Sequence, residues 1–288
     1  MKRKGAFCAA SGLVLAAAAV CGVTVITVPA HAAAGLYVAL GDSYTSGPLI
    51  TPASATAPVE CLQSAVNYPH LAARALGLSL TDASCAGATT SDLAQSQYPG
   101  VSPQFGALSA SDSVVTLGIG GNDNETFITS VIGCAAIDVT DPLNIGAPCK
   151  AAFGNYFADN IASDGPAVGG AVRQIHALAP NARIYVVGYP DILPQSGNCW
   201  AQQPLTTGDV TYLNGIEHDL NAMLAQEAAA NGATFVDTFD PSIGHDLCKP
   251  ESVRWIEPLI PSSSAAFDHP NAAGEAALAS MVEAAVNG

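Results

Sequence analysis

The sequence predicts an α/β protein with a mainly parallel sheet, on three observations. Runs of apolar, often β-branched residues alternate with segments whose apolar residues recur at helical spacing. The strand-like runs lack polar alternation, which is typical of strands that are covered on both faces. Glycines and polar residues follow several of these runs directly, and the carboxyl ends of parallel strands are where binding and catalytic groups gather.

Four strands are predicted, each from one apolar run. They are LYVAL (36–40), SVVTLGIGG (113–121), ARIYVVGYP (182–190) and ATFVDTF (233–239). Three of the runs lead into glycine and polar residues at 41–43, 120–123 and 188–191. We therefore expect these three turns to lie together at one edge of the sheet.

Four helices are predicted from apolar residues at helical spacing and from end signals. They span 67–77, 166–180, 210–232 and 270–286. Asn67 and Gly77 suit the two ends of the first helix, and Pro270 suits the first turn of the last. Between the elements, long segments at 48–66, 124–165 and 191–209 are rich in Pro, Gly, Ser or Cys. We expect these segments to be loops that are functional or crosslinked.

Residues 1–32 have the three-part layout of a secretory signal peptide. A basic start precedes the apolar run Leu13–Ile26, and Ala30 and Ala32 supply the small residues of a cleavage site. A transmembrane anchor is the alternative, because the apolar run approaches the roughly 20 residues that span a bilayer. We expect secretion, with cleavage after Ala32 and a single domain over residues 33–288.

Net charge excludes some partners of the predicted domain. Residues 33–288 contain six lysines and arginines against 24 acidic residues, a formal charge of −18. Such an excess repels nucleic acid and gives no electrostatic attraction to an anionic membrane. The acids are scattered along the chain, which is typical of a solvated surface. We expect no nucleic-acid partner, no stable membrane anchor and a monomer.

The six cysteines of residues 33–288 indicate a disulfide framework. They are Cys61, Cys85, Cys134, Cys149, Cys199 and Cys248. An even number in an exported chain suggests three disulfides, although six cysteines allow 15 pairings. A zinc site is the alternative, but the sequence has no Cys-x-x-Cys pair and no histidine at ligand spacing. We therefore expect no metal.

Ser43, directly after the first strand, is a candidate nucleophile. A serine hydroxyl attacks poorly unless a base takes its proton, so a histidine must accompany it. The Gly-x-Ser-x-Gly elbow of ordinary α/β-hydrolases is absent, because Thr45 occupies the last position. From these residues alone, a polar turn is the alternative interpretation.

Two histidines outside the predicted helices are candidates for the base. His245 lies in SIGHDLC, and His269 stands directly before the last helix. Acyl transfer also needs hydrogen-bond donors for the developing oxyanion. The N–H of Ser43, the N–H of the side-chain-free Gly87 and the amide of Asn122 are candidates.

In their order and local contexts, Ser43, Gly87, Asn122 and His269 resemble the SGNH (GDSL-type) hydrolases, in the branch of secreted bacterial esterases and lipases. The matching stretches are ALGDSYTSG, SCAGATTSD, TLGIGGND and HPNAAG. The resemblance implies a three-layer α/β/α sandwich with a flavodoxin-like sheet. It implies Ser43 as nucleophile, His269 as base, and an oxyanion hole made by Ser43, Gly87 and Asn122. No metal or organic cofactor is required.

The six cysteines resemble the sequential disulfides of this branch, which implies three crosslinks. These are Cys61–Cys85, Cys134–Cys149 and Cys199–Cys248. One departure concerns the acid that usually stands three residues before the histidine, because Ala266 occupies that position. We expect the backbone carbonyl of Ala266 or Phe267 to orient His269 instead, with the adjacent Asp268 as the alternative.

The resulting hypothesis is a secreted serine carboxylic-ester hydrolase that cleaves fatty-acyl esters, with a small-molecule or lipid ester as substrate. A carbohydrate acetylesterase and a phospholipase A are the enzymatic alternatives. A non-catalytic binding protein on the same scaffold is the alternative from another class. With an ordinary imidazole as base, activity is expected to fall as the pH drops through 7 to 6.

Overall fold

The structure of the protein is a computed structural model that describes residues 35–141 and 143–288. The predicted signal peptide lies outside the described residues. Five parallel strands form one sheet in the order β2-β1-β3-β4-β5. They are β1 (Leu36–Gly41), β2 (Ser79–Asp82), β3 (Asp112–Gly118), β4 (Arg183–Val187) and β5 (Thr234–Val236). Four of these strands were predicted, and the parallel pairing is confirmed.

Helices and shorter helical turns connect the strands. They are α1 (Ser43–Ser46), α2 (Tyr68–Leu76), α3 (Thr126–Ile128), α4 (Cys134–Asp138), α5 (Pro148–Phe153), α6 (Tyr156–Leu178), α7 (Thr207–Ala230) and α8 (Ala272–Asn287). Residues 129–133 form a π-helical turn between α3 and α4. No helix among residues 35–141 and 143–288 is long and apolar enough to cross a membrane.

Two apolar cores cover the two faces of the sheet and give the predicted three layers. Along β1, Val38 and Leu40 belong to the core on the side of α6 and α7. Tyr37 and Ala39 belong to the core on the side of α2 and α8. Successive strand residues point to opposite faces, so β1 has to be apolar throughout, as its sequence indicated.

Helix α6 begins about ten residues before its predicted start and contains Pro166. The expectation that 124–165 is a loop is therefore wrong over much of its length. Helix α7 packs directly against this segment: a Cβ at Gly165 would be in van der Waals contact with Met223 Cγ of α7, at 3.4 Å. Tertiary contact with α7 thus maintains a helix that proline and glycine disfavour locally.

The short strand β2 was not predicted. Its four residues, SLTD, alternate between exposed and half-buried at the sheet edge, so they lack the apolar run of a central strand. The last helix begins after Asn271, whose side chain accepts the backbone N–H groups of Ala273 and Gly274. Pro270, which was expected in the first turn, therefore precedes the N-cap.

The structure contains the three sequential disulfides Cys61–Cys85, Cys134–Cys149 and Cys199–Cys248. The first links a segment that follows α1 to one that follows β2, at the carboxyl edge of the sheet. All three therefore crosslink connecting segments and leave the strands themselves free.

Candidate active site

Ser43 is the first residue of α1, directly after the end of β1. Asp42 caps this helical turn, since its carboxylate accepts the backbone N–H of Tyr44 at 2.9 Å. Gly41 leaves no room for a side chain, because a Cβ would lie 2.6 Å from the carbonyl oxygen of Gly118. The turn therefore needs glycine and holds Ser43, which is 7% exposed, at the carboxyl edge of the sheet.

The side chains of Ser43 and His269 are in direct contact. The distance from Ser43 Oγ to His269 Nε2 is 2.7 Å. On the other side of the ring, His269 Nδ1 lies 2.6 Å from the carbonyl oxygen of Phe267. Because a carbonyl only accepts hydrogen bonds, Nδ1 carries the proton. In the neutral ring Nε2 is then an acceptor, and the Ser43 hydroxyl donates to it.

His269 is buried against aromatic rings. The ring centroid of Tyr44 lies 4.7 Å from that of the histidine, and the ring of Phe127 meets it edge-on at 5.2 Å. This burial lowers the pKa of His269 to about 4, although its hydrogen bond to Phe267 favours the charged form. At neutral pH the imidazole is consequently uncharged and able to accept a proton.

Asp268 points away from the histidine that follows it. Its backbone has a positive φ of 53°, and Tyr44 Oη donates to its carbonyl oxygen at 2.5 Å. Its carboxyl group accepts a hydrogen bond from Gln203 Nε2 at 3.2 Å. Burial raises the pKa of Asp268 to about 7, against the effect of the Gln203 bond. Of the three groups considered for orienting His269, the Phe267 carbonyl is the one in contact with the ring.

A polar network fixes the histidine segment to residues 254–257. The N–H of Glu257 donates to the carbonyl of His269 at 3.0 Å, and the N–H of Asp268 donates to the carbonyl of Glu257 at 2.8 Å. The buried Glu257 carboxylate pairs with Arg254 at 2.8 Å and accepts from Asn271 Nδ2 at 2.9 Å. Burial opposes its ionisation, but these hydrogen bonds outweigh that cost and lower the pKa of Glu257 to about 2.

The Gly87 and Asn122 segments meet at the end of β1. The N–H of Cys85 donates to the carbonyl of Gly41 at 3.0 Å, which brings the following turn to this strand end. Gly87 has a φ of +78°, a conformation that favours glycine. Asn122 Nδ2 donates one hydrogen to the carbonyl of Ala88 at 3.0 Å. An amide nitrogen has two hydrogens, so the second is available to a ligand.

Two buried residues that support this edge were missed in the sequence. Tyr189 Oη accepts the N–H of Gly121 at 2.9 Å and donates to Asp42 at 2.5 Å. Gln104 binds both backbone groups of Gly41: its side-chain amide accepts the Gly41 N–H at 2.7 Å and donates to the Gly41 carbonyl at 2.9 Å. Tyr189 lies two residues after the end of β4, in the predicted turn 188–191, so its position was a usable signal. Gln104 begins a short 3-10 helical turn between β2 and β3, and the sequence there carries no such signal.

An apolar cavity adjoins the Ser43–His269 pair. Phe127 and Asp268, which flank the histidine, both form part of its wall. Most of the remaining lining is aliphatic and comes from α6, α7 and the segments after β3 and β4: Val131, Ile161, Ile192, Leu193, Leu205, Leu213, Ile216 and Leu220. The cavity can therefore hold an uncharged hydrocarbon group close to the segment that carries His269.

The other loop histidine has a different environment. The ring of His245 stacks on Trp255 with centroids 3.8 Å apart, and its Nδ1 lies 2.6 Å from the carbonyl oxygen of Val253. Within residues 35–141 and 143–288, no group of three His, Cys, Asp or Glu side chains could hold a metal ion. The structure thus brings Ser43 together with His269 and leaves His245 in a structural contact.

Comparison with known proteins gives the same family as the motifs. The profile of the GDSL-like Lipase/Acylhydrolase family matches residues 39–277. Lipase 2 of Streptomyces coelicolor is 44% identical over 255 residues, which cover 87% of this chain and 86% of that protein. Lipase 1 of the same organism is 34% identical over 92% of both chains.

Two solved structures of Streptomyces enzymes share the fold. Phospholipase A1 from Streptomyces albidoflavus superposes with a TM-score of 0.72 at 30% identity, covering 88% of this chain and 99% of that one. The extracellular lipase from Streptomyces rimosus gives 0.70 at 26% identity, with the same coverage. The chain therefore belongs to the GDSL-like lipase/acylhydrolase family and is a carboxylic-ester hydrolase.

Proposed function

We propose that this enzyme hydrolyses fatty-acyl esters with Ser43 as nucleophile and His269 as general base. The observation that carries the proposal is the 2.7 Å contact between Ser43 Oγ and His269 Nε2 beside an aliphatic cavity. The contact matches the distance needed for proton transfer, and the cavity matches the acyl chain of a lipid.

In the first half of the reaction, Ser43 Oγ attacks the ester carbonyl while its proton passes to His269 Nε2. The N–H groups of Ser43 and Gly87 and the amide of Asn122 then donate to the oxyanion. As the tetrahedral intermediate collapses, the bond to the alcohol breaks and His269 returns its proton to the leaving oxygen. An acyl ester on Ser43 remains.

In the second half, His269 takes a proton from water, and the resulting hydroxide attacks the acyl ester. The carboxylic acid leaves and Ser43 recovers its proton. The Phe267 carbonyl accepts the Nδ1 hydrogen in both halves and keeps the ring in the productive tautomer. This dyad works without the acid of a full triad. Because a carbonyl dipole stabilises the imidazolium less than a carboxylate does, we expect the dyad to be slower than a full triad.

The aliphatic wall of the cavity favours a long acyl chain over an acetyl group. The acetyl group of a carbohydrate acetylesterase substrate, one of the alternatives, would leave most of that apolar surface uncovered. A structural relative is a phospholipase A1, so a phospholipid is included among the lipid esters that we propose as substrates.

The test is hydrolysis of p-nitrophenyl esters from acetyl to palmitoyl by the purified protein and by two serine variants. Ser43→Ala should lose at least about 10⁴-fold in kcat. Ser46→Ala is the matched control, because Ser46 is a buried serine of the same turn whose hydroxyl has no hydrogen-bond partner in the described residues. Equal activity in Ser43→Ala and its parent would disprove the nucleophile, and a preference for acetyl would disprove the acyl-chain proposal.

We also propose that the enzyme is secreted after removal of residues 1–32. Support comes from the basic, apolar and small-residue segments of this region and from an extracellular lipase among the relatives. Amino-terminal sequencing of protein recovered from the culture medium should begin at Ala33. Recovery only from the membrane fraction, with an intact terminus, would favour the anchor instead.

A further inference from the structure

Three segments that border the Ser43–His269 pair contain no charged residue. They are residues 43–59, 126–137 and 258–267. Uncharged runs also occur at residues 93–111 and 192–208, and exposed Glu60 and Glu125 stand directly outside two of the three segments at the site. The site therefore has an uncharged border in a chain whose formal charge is −18 over residues 33–288.

Contacts in the structure place all three segments at the same site. The first begins with Ser43 itself, and the second contains Phe127, whose ring lies 5.2 Å from the His269 ring. The third ends two residues before His269 and joins the first segment, since the N–H of Ala266 donates to the carbonyl of Pro48 at 3.1 Å. The three uncharged segments therefore lie next to the Ser43–His269 pair.

These segments expose large aliphatic side chains. In the helical stretch 126–137, Phe127 and Val131 line the cavity, while Ile128 and Ile132 are 46% and 40% exposed. The exposed pair is four residues apart and shares one face of the stretch. In the other two segments, Leu49 is 58% and Ile260 is 77% exposed. We call Leu49, Ile128, Ile132 and Ile260 the apolar rim.

We propose that the apolar rim docks the enzyme on the surface of a neutral or zwitterionic lipid aggregate, a role that rests on the proposed lipid substrate. Aliphatic side chains at a protein surface partition into the apolar part of a lipid layer, and the uncharged segments carry no charge that would resist this transfer. The acidic remainder of the domain is repelled by anionic lipids, so charge selects a neutral surface. The docked rim brings an acyl chain to the adjoining cavity.

The test measures vesicle binding in a Ser43→Ala background, where lipid is not hydrolysed. Ile128→Ser/Ile132→Ser should lower partition onto phosphatidylcholine vesicles by about tenfold or more, and Ile260→Ser should lower it further. Leu36→Ser is the matched control: Leu36 is 38% exposed but starts β1, at the opposite edge of the sheet from Ser43, and should leave partition unchanged. Equal partition of all variants, or tighter binding to phosphatidylglycerol vesicles, would overturn the proposal.

Activity on a fully dissolved short ester separates this proposal from the proposed function. The rim variants with an intact Ser43 should hydrolyse dissolved p-nitrophenyl butyrate at the parental rate and lose activity only on lipid vesicles. Loss of activity on both substrates would overturn the docking role without affecting the assignment of Ser43. A concentration-dependent dimer that the Ile128→Ser/Ile132→Ser change abolishes would instead assign the rim to a second copy of this chain.

Discussion

Ser43 Oγ and His269 Nε2 lie 2.7 Å apart, but different kinds of structure hold the two residues in place. Ser43 follows β1, which is hydrogen-bonded along its length to β2 and β3 in the interior of the sheet. His269 lies in a segment without a regular strand or helix, whose only pairing is an isolated bridge between Ile256 and Pro270. The nucleophile is therefore placed by backbone ladders, and the base by the polar contacts of a loop.

This difference separates stability from catalysis in the two regions. Backbone ladders do not depend on which side chain stands at a strand end, so a strand-end residue can be specialised for chemistry. In the loop, the side chains of Arg254, Glu257 and Asn271 take the place of a ladder. We therefore expect substitution of a catalytic side chain at a strand end to change the rate alone, and substitutions among Arg254, Glu257 and Asn271 to change folding stability as well.

The largest expected effect is at the sheet edge. Asn122→Ala removes the proposed oxyanion donor and should lower kcat by about 10²–10³-fold, with the thermal midpoint close to that of the parent. Steady-state kinetics and thermal unfolding of the same preparations check both parts.

Asn181→Ala is the matched control for this substitution. Asn181 Nδ2 also donates to a backbone carbonyl, that of Ala110 at 2.8 Å, but the residue precedes β4 at the opposite edge of the sheet. It should keep full activity. If Asn122→Ala unfolds more easily than Asn181→Ala, the sheet edge depends on its side chains and the contrast with the loop fails.

The next effect concerns the loop network. Glu257→Gln leaves Arg254 buried without its charged partner and should lower the free energy of unfolding by about 3–5 kcal/mol at pH 7. The pKa of Glu257 is about 2 in the folded protein against a usual 4.5, so its contribution is complete above pH 4.5 and is lost as the pH falls through 2. The difference between parent and variant should consequently shrink at pH 3, as measured by denaturant unfolding.

Glu251→Gln provides the control for charge loss in the same loop, because Glu251 is exposed. It should unfold like the parent at both pH values. Parental stability in Glu257→Gln would show that the ion pair does not hold the histidine segment, and the contrast between the two regions would then have another cause.

The contrast between a strand end and a loop also explains which parts of the site could be predicted from the sequence. The strand end before Ser43 is marked by an apolar run and a glycine, both local signals, and the prediction of a parallel α/β sheet from such runs is confirmed. Because Ala266 occupies the position of the usual acid, the sequence predicts that the carbonyl of Ala266 or Phe267 orients His269, with Asp268 as the alternative. Choosing among these three groups required the backbone conformation.

The loop network was not predictable for a physical reason. Arg254 and Glu257 are charged residues in an irregular segment, a pattern that indicates a solvated loop. Only the tertiary structure shows that the two side chains are buried as an ion pair. Helix α6 is a second example, since Gly165 and Pro166 indicate the boundary of a loop, but the structure continues the helix through them and packs Gly165 against Met223 of α7.

The smallest expected effect is that of Asp268→Asn, the acid beside the histidine. Its carboxyl group contacts Gln203 and not His269, so the variant should keep kcat within about threefold. A third triad member would instead cost up to about 10⁴-fold. Loss of activity on that scale would show that Asp268 orients the base during the reaction, and the Phe267 carbonyl would lose its role.

The pH profile tests the same point with greater resolution. Because burial lowers the pKa of His269 to about 4, activity should be constant from pH 8 to 5 and half-lost near pH 4, instead of between 7 and 6 as an ordinary imidazole predicts. The folded pKa of Asp42 and of Asp268 is about 7 against a usual 3.8, so these two groups make the fold more stable as the pH falls from 7 to 4. Together they outweigh the opposite contribution of His269, whose folded pKa of about 4 lies below its usual 6.5. The protein should thus remain folded at the pH where His269 titrates, and far-UV circular dichroism at pH 4 checks this.

The decisive comparison is the acid limb of the pH–rate profile in Asp268→Asn. An unchanged limb would leave the Phe267 carbonyl as the group that orients the base, whereas a limb that moves with this substitution would couple Asp268 to His269.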